Sequence, residues 1–153
     1  MRPGILTSRG AIMSEPSLPE FLLQTGFNAH FNPAGNIVFT YEAFNYLLCF
    51  DARDPEYGNL VLPCIYTVSD PVLLPDVLAG LDMVNRMVKV VKGFTLRDKV
   101  SLSAEIWLTD QADWVHYLER ALVNLDYARL QFGLHMEASM AVHAAIPINA
   151  TIQ

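Results

Sequence analysis

The sequence predicts an α+β fold: a mostly antiparallel five-stranded sheet with helices, in the order α-β-β-β-α-β-β-α. Three observations lead there. Apolar residues recur at three- and four-residue steps in two long stretches, and alternate with period two in several short ones. Helical and extended segments do not alternate one to one, which argues against a parallel sheet with crossover helices. A chain of 153 residues is the size of one domain. Chains of about 150 residues bury close to 70% of their unfolded surface, enough for a core without staples.

The elements follow in order. Residues 1–16 read as a flexible N-terminal tail, with Met13 a second candidate start, and residues 17–135 as the single domain. Ser17 is placed to cap a helix, Pro19 to sit in its first turn and Glu20 at its positive dipole end; Phe21, Leu22 and Leu23 supply its buried face and Gly26 its stop. Asn32 to Asn36 form a turn. Strands are expected over 37–41 and 46–50, then an acidic loop over 51–59. A third strand covers 60–68; it is apolar on both faces, and Pro63 makes it an edge or a bulged strand.

A helix over 75–91 carries Leu74, Val77, Leu78, Leu81, Val84, Val88 and Val91 on one stripe, with Gly93 beyond its end. Asn85 falls beside that stripe. It is expected to bond a backbone carbonyl or loop, because a buried unpaired amide costs roughly 1–3 kcal/mol. Strands over 94–96 and 100–108 follow. In the second, Val100, Leu102, Ala104 and Ile106 face one way; Ser101, Ser103 and Glu105 read as a wet face, interrupted by Trp107. Asp110 is placed to cap the last helix, whose stripe includes Trp114, Leu118, Leu122, Leu125 and Phe132, with Gly133 as its end. Residues 136–153 form a C-terminal tail to which the pattern assigns no element.

Charge and cysteines narrow the function classes. Ten Lys and Arg against sixteen Asp and Glu give a net charge of −6, a poor match for a phosphate backbone, so no nucleic-acid partner is expected. Cys49 and Cys64 form no CxxC motif, which argues against a zinc or redox site; a disulfide between them stays open. The N-terminus lacks the apolar core of a signal peptide, and the longest uncharged stretch, 21–41, is too polar to span a bilayer. No membrane insertion and a cytoplasmic location are expected. The chain is 52% apolar and 17% charged, against about 25% charged in typical domains. That surplus of apolar residues points to burial against a partner.

No catalytic motif stands out, and neither a cofactor nor a metal ligand set is expected. His30, His116, His135 and His143 show no metal-binding spacing. His116, with Asp113 and Glu119 three residues to either side, is the best candidate for a ligand site, against a solvated helix face. Asp51, Asp54 and Glu56 lack the ligand order of a calcium loop. Tyr41, Phe44, Tyr46, Tyr66 and Trp107 are the candidates to line a groove for an apolar peptide, with core or dimer contacts as the alternative.

Over residues 18–132 the chain resembles the YbjN-like family, which shares the fold of type III secretion chaperones. The features that carry this are a short helix ending at Gly26-Phe27, the strand start Gly35-Asn36-Ile37-Val38-Phe39, a helix with Val84-Asn85-Arg86, a hairpin led by Gly93-Phe94, and a long last helix. Where the family has Gly between its first two strands, this chain has Glu42-Ala43-Phe44. The resemblance implies a small acidic bacterial protein without catalytic residues, a homodimer that binds other polypeptides. It implies either a chaperone or adaptor holding a segment of a partner, or a regulator acting through protein contacts.

Overall fold

The computed structural model describes residues 22, 24, 26–107 and 113–146. The tail 1–16, the expected cap and first-turn residues Ser17, Pro19 and Glu20, and the cap Asp110 lie outside the described residues. Leu22 and Gln24 are helical, and Gly26 follows at φ +90°. The Phe27 N–H donates to the Leu22 carbonyl at 3.0 Å, the bond with which a left-handed glycine closes a helix.

Among the described residues six strands form one antiparallel sheet: β1 His30–Phe31, β2 Ile37–Tyr41, β3 Phe44–Asp51, β4 Asp54–Thr67, β5 Val91–Leu96 and β6 Lys99–Trp107. Their order across the sheet is β1-β2-β3-β4-β6-β5. This is one strand more than expected. The addition, β1, pairs with β2 across a turn in which Asn32 Oδ1 accepts the N–H groups of Ala34 and Asn36, both at 3.0 Å, so the side chain itself templates the reversal.

Strand β4 corrects the expected acidic loop. Asp51 Oδ1 accepts the Arg53 N–H at 2.9 Å, which confines the turn to Ala52 and Arg53, and the polar residues from Asp54 onward are already strand. They extend because β3 holds one side and β6 the other, with Cys49 opposite Asn59 and Tyr57 opposite Trp107. Pro63 sits in an interior strand, so of the two expected settings the bulge holds and the edge does not. The register slips between Leu62 and Tyr66, Cys64 takes φ +54°, and its N–H donates to Ser101 Oγ at 3.1 Å.

Two helices, α1 Leu74–Met87 and α2 Asp113–Ala145, lie antiparallel on one face of the sheet. The row Ile37–Leu48–Leu60–Ala104–Val91 crosses five strands beneath them, essentially without solvent exposure. From above, α1 presents Val77, Leu81 and Val84; α2 presents Trp114, Leu118, Leu122, Leu125, Phe132 and Met136. Each such side chain contributes about 1.5–3 kcal/mol on burial. Trp114 reaches the sheet because Gly58 is bare there: a Cβ on Gly58 would collide with the Cζ2–Cη2 edge of the indole.

Helix α1 ends before the expected position 91. Val88 is extended and Val90 takes φ +70°, so Val91 and Lys92 join strand β5. Asn85 then does what its place beside the stripe implied, twice over. Its Oδ1 accepts the Gly93 N–H at 2.6 Å and its Nδ2 donates to the Gly93 carbonyl at 3.3 Å. The carboxamide substitutes for the neighbouring strand that edge strand β5 lacks.

Helix α2 runs through Gly133 to Ala145, which corrects both the expected end and the unassigned tail to that point. Tertiary contacts outweigh the roughly 1 kcal/mol that glycine costs a helix. Met136 is buried, the His135 ring N–H donates to the Asp76 carbonyl at 2.9 Å, and His143 Nε2 lies 2.8 Å from the Asp76 carboxylate. That hydrogen bond from His143 holds the Asp76 carboxyl below the usual range.

Two substitutions test this account. Asn85→Ala removes both bonds to Gly93 and is expected to cost about 1–3 kcal/mol in urea unfolding; an unchanged midpoint would refute the role given to Asn85. The β2–β3 turn has φ +45° at Glu42 and +68° at Ala43, a left-handed pair that glycine accommodates more readily. Ala43→Gly is therefore expected to stabilise the fold by about 1 kcal/mol, read as a higher melting temperature.

Candidate protein-docking surfaces

The five aromatics expected to line a groove do not share one. Tyr46 stands in the row next to the central one, 1% exposed and stacked on Phe39 with ring centroids 5.6 Å apart. Burial, with the Asp126 charge adding, pushes its phenol up to about 12. Tyr41 and Phe44 face each other across the hairpin end, half-buried. The Arg129 guanidinium lies 4.2 Å over the Phe44 ring and is held there by Asp126 at 2.7 Å. Tyr66 meets Phe132 edge-on at 5.8 Å. These four lie on the helix side of the sheet. Trp107 points the other way and is 70% exposed, its Nε1–H donating to Asp54 at 2.8 Å.

Trp107 lies on the sheet face opposite the two helices. Among the described residues no helix lies over it. A row crosses it strand by strand: Val38, Leu47, Val61, Ser103, Lys92. Cys49 and Phe94 adjoin that row, and Val38, Leu47, Cys49, Val61 and Phe94 are all half-buried. Tyr57 pairs with Trp107 at 6.4 Å. A polar patch sits within this apolar field. Lys92 Nζ meets Glu105 at 2.6 Å, and the Tyr57 phenol, pushed up by burial, bonds the same carboxylate.

Here the expected wet face of β6 is corrected: Ser101 and Ser103 are buried. Both side chains are short, and neighbours on the flanking strands overtop them: Phe94 beside Ser101, Val61 and Lys92 beside Ser103. Ser101 is occupied by the bulge of β4. Ser103 Oγ and Asn59 Oδ1 have no hydrogen-bond partner among the described residues.

A second apolar surface escaped the sequence reading. Helix α2 is apolar on two opposite sides. Its outer side carries Val123, Tyr127, Leu130 and Leu134, exposed by 62%, 45%, 47% and 59%. The signal was available in their four-three-four spacing, half a turn away from the buried stripe.

Asp113 and His116 do come together, bordering a cleft of about 400 Å³ with Lys89, Tyr117 and Arg120. Glu119 borders a neighbouring groove instead, beside Met87 and Tyr127. Burial and the Glu105 charge push the Tyr117 phenol up to about 12. Among the described residues no three His, Cys, Asp or Glu side chains converge to hold a metal ion. No helix among the described residues is long and apolar enough to cross a membrane. Both cysteines are free. The dominant features are apolar area with a few fixed polar groups, the chemistry of association.

No protein-family model matches the sequence, and no curated protein matches it. Among solved structures the chain is similar to "YbjN, a putative transcription regulator from E. coli", with a TM-score of 0.62 at 12% identity over 76% of this chain and 88% of that one. The chain has a YbjN-like fold, as the sequence resemblance implied.

The two cysteines report on the open sheet face. Cys64 is exposed in the bulge, whereas Cys49 is half-buried and its thiol is pushed up by burial. A thiol reagent at neutral pH is expected to modify Cys64 at once and Cys49 more slowly, in the folded protein, in two phases. A single fast phase would place Cys49 in the open; full protection of Cys49 would mean that its face is covered.

Proposed function

We propose that this chain is a non-enzymatic protein-binding module that takes an extended segment of a partner protein on its open sheet face. The observation that carries this is the row Val38–Leu47–Val61, continued by Cys49, Phe94 and Trp107, left uncovered by any described helix. Apolar patches of this kind on a small domain mark interaction sites. The Lys92–Glu105 pair within this apolar field supplies a polar contact that aligns an extended guest. A cytoplasmic location, where such partners are made, belongs to the same reading.

A regulatory role exercised through protein contacts is the second reading, favoured by the likeness to YbjN. It keeps the same surface and changes only the partner. With a net charge of −6, regulation by direct contact with DNA phosphates is the less favoured route.

The test is affinity capture from the native host at natural expression, comparing wild type with Leu47→Lys and Trp107→Ala. Trp107 is exposed, so its removal leaves the core intact. One stoichiometric partner, lost from both variants and rebinding the purified wild type, is expected. No partner, or a partner indifferent to both substitutions, would overturn the proposal. The partner's identity, secreted client or signalling protein, separates chaperone from regulator.

A further inference from the structure

We infer that the cleft between helix α2 and the connection from α1 to β5 is a binding site for a small organic carboxylate with a short apolar tail. The cleft holds about 400 Å³, a volume within the range of small-ligand pockets. Lys89 borders it from the connection and Arg120 from the helix, both exposed. The Asn124 side-chain amide donates to the Lys89 carbonyl at 3.2 Å, which fixes the connection against α2 and so sets the two walls.

Two observations select an anion. The first is positive charge left unused. Among the described residues Arg53, Arg86, Lys92, Lys99 and Arg129 are each in an ion pair. Of the three described cations that are not, Lys89, Arg97 and Arg120, two border this one cleft. Asp113 is the single acid that borders it with them, so a cation entering the cleft meets more like charge than opposite. The second is the Tyr117 hydroxyl. Tyr117 belongs to the cleft wall, and its oxygen is shut off from water with no hydrogen-bond partner among the described residues. Buried hydroxyls are nearly always bonded, and leaving one open is costly. A carboxylate pressed to the foot of the cleft is the acceptor this O–H lacks, while Lys89 and Arg120, on long flexible stems, close over it from outside.

The tail has a place as well. A neighbouring groove shares Lys89, Arg120 and Asn124 with the cleft and continues to Met87, Val123 and Tyr127. Glu119 borders the groove and not the cleft. It repels a carboxylate at that end and so fixes which end of the ligand enters. The site lies on the helix side of the sheet, away from Trp107, and is read with a small molecule. It and the sheet-face proposal can therefore fail separately.

The test is titration of the full chain with sodium octanoate, followed by calorimetry and by backbone amide shifts in NMR. Saturable binding in about the millimolar range is expected, with shifts confined to 87–90, 106 and 113–127. Octanol, which has the tail without the charge, should bind about tenfold more weakly. Arg120→Glu, at an exposed position, should weaken octanoate by about three- to tenfold with an unchanged circular dichroism spectrum. Tyr117→Phe keeps the ring and should weaken octanoate by about three- to tenfold without lowering the melting temperature, because the hydroxyl bonds nothing in the free protein. Trp107→Ala, on the other sheet face, should bind as wild type does. Absence of saturable binding overturns the inference. So does octanol binding as tightly as octanoate, an affinity unchanged in either cleft variant, or an affinity lost in Trp107→Ala.

Discussion

The apolar row Ile37–Leu48–Leu60–Ala104–Val91 must be kept from water, and the long helix α2 does most of that work. The constraint reaches into the details of the chain. Trp114 brings the edge of its indole onto the sheet only because position 58 has no side chain. Phe132 fits beneath α1 because Gly80 is equally bare, a Cβ there coming to 3.1 Å from the ring. Where α1 reaches β5, Asn85 ties the two by both polar groups of one residue. The helices and the sheet are therefore packed as one unit.

Much of this was legible in the sequence, and the exceptions have physical causes. Most of the stripe of α1, the role of Asn85 and the β5–β6 hairpin are local patterns, and local patterns survive folding; Leu74 and Leu78, read into the same stripe, are exposed instead. The span 54–59 reads as a loop because Asp54, Pro55 and Glu56 are loop-like residues; only the partner strands on both sides make it a strand. The helix outlasts Gly133 because His135 and His143 both find Asp76, a residue some sixty positions earlier in the chain. No window of sequence contains that information.

The candidate site was harder to read. Tyr46 resembles a groove residue in composition, but its register places it in the row beside Leu48, and register follows from pairing. Ser101 and Ser103 look solvated because serine is usually exposed; taller neighbours on the flanking strands decide otherwise. The apolar outer side of α2 was visible as spacing. It was masked because the buried stripe of the same helix had already accounted for the helical period, and a second apolar side offers no further contrast.

The two-layer architecture has a geometric corollary. With the two helices on one side and, among the described residues, no helix on the other, the apolar outer side of α2 and the sheet face around Trp107 are back to back. A molecule held on one of them would not touch the other, so the domain offers two apolar surfaces that can be occupied at the same time and altered one at a time.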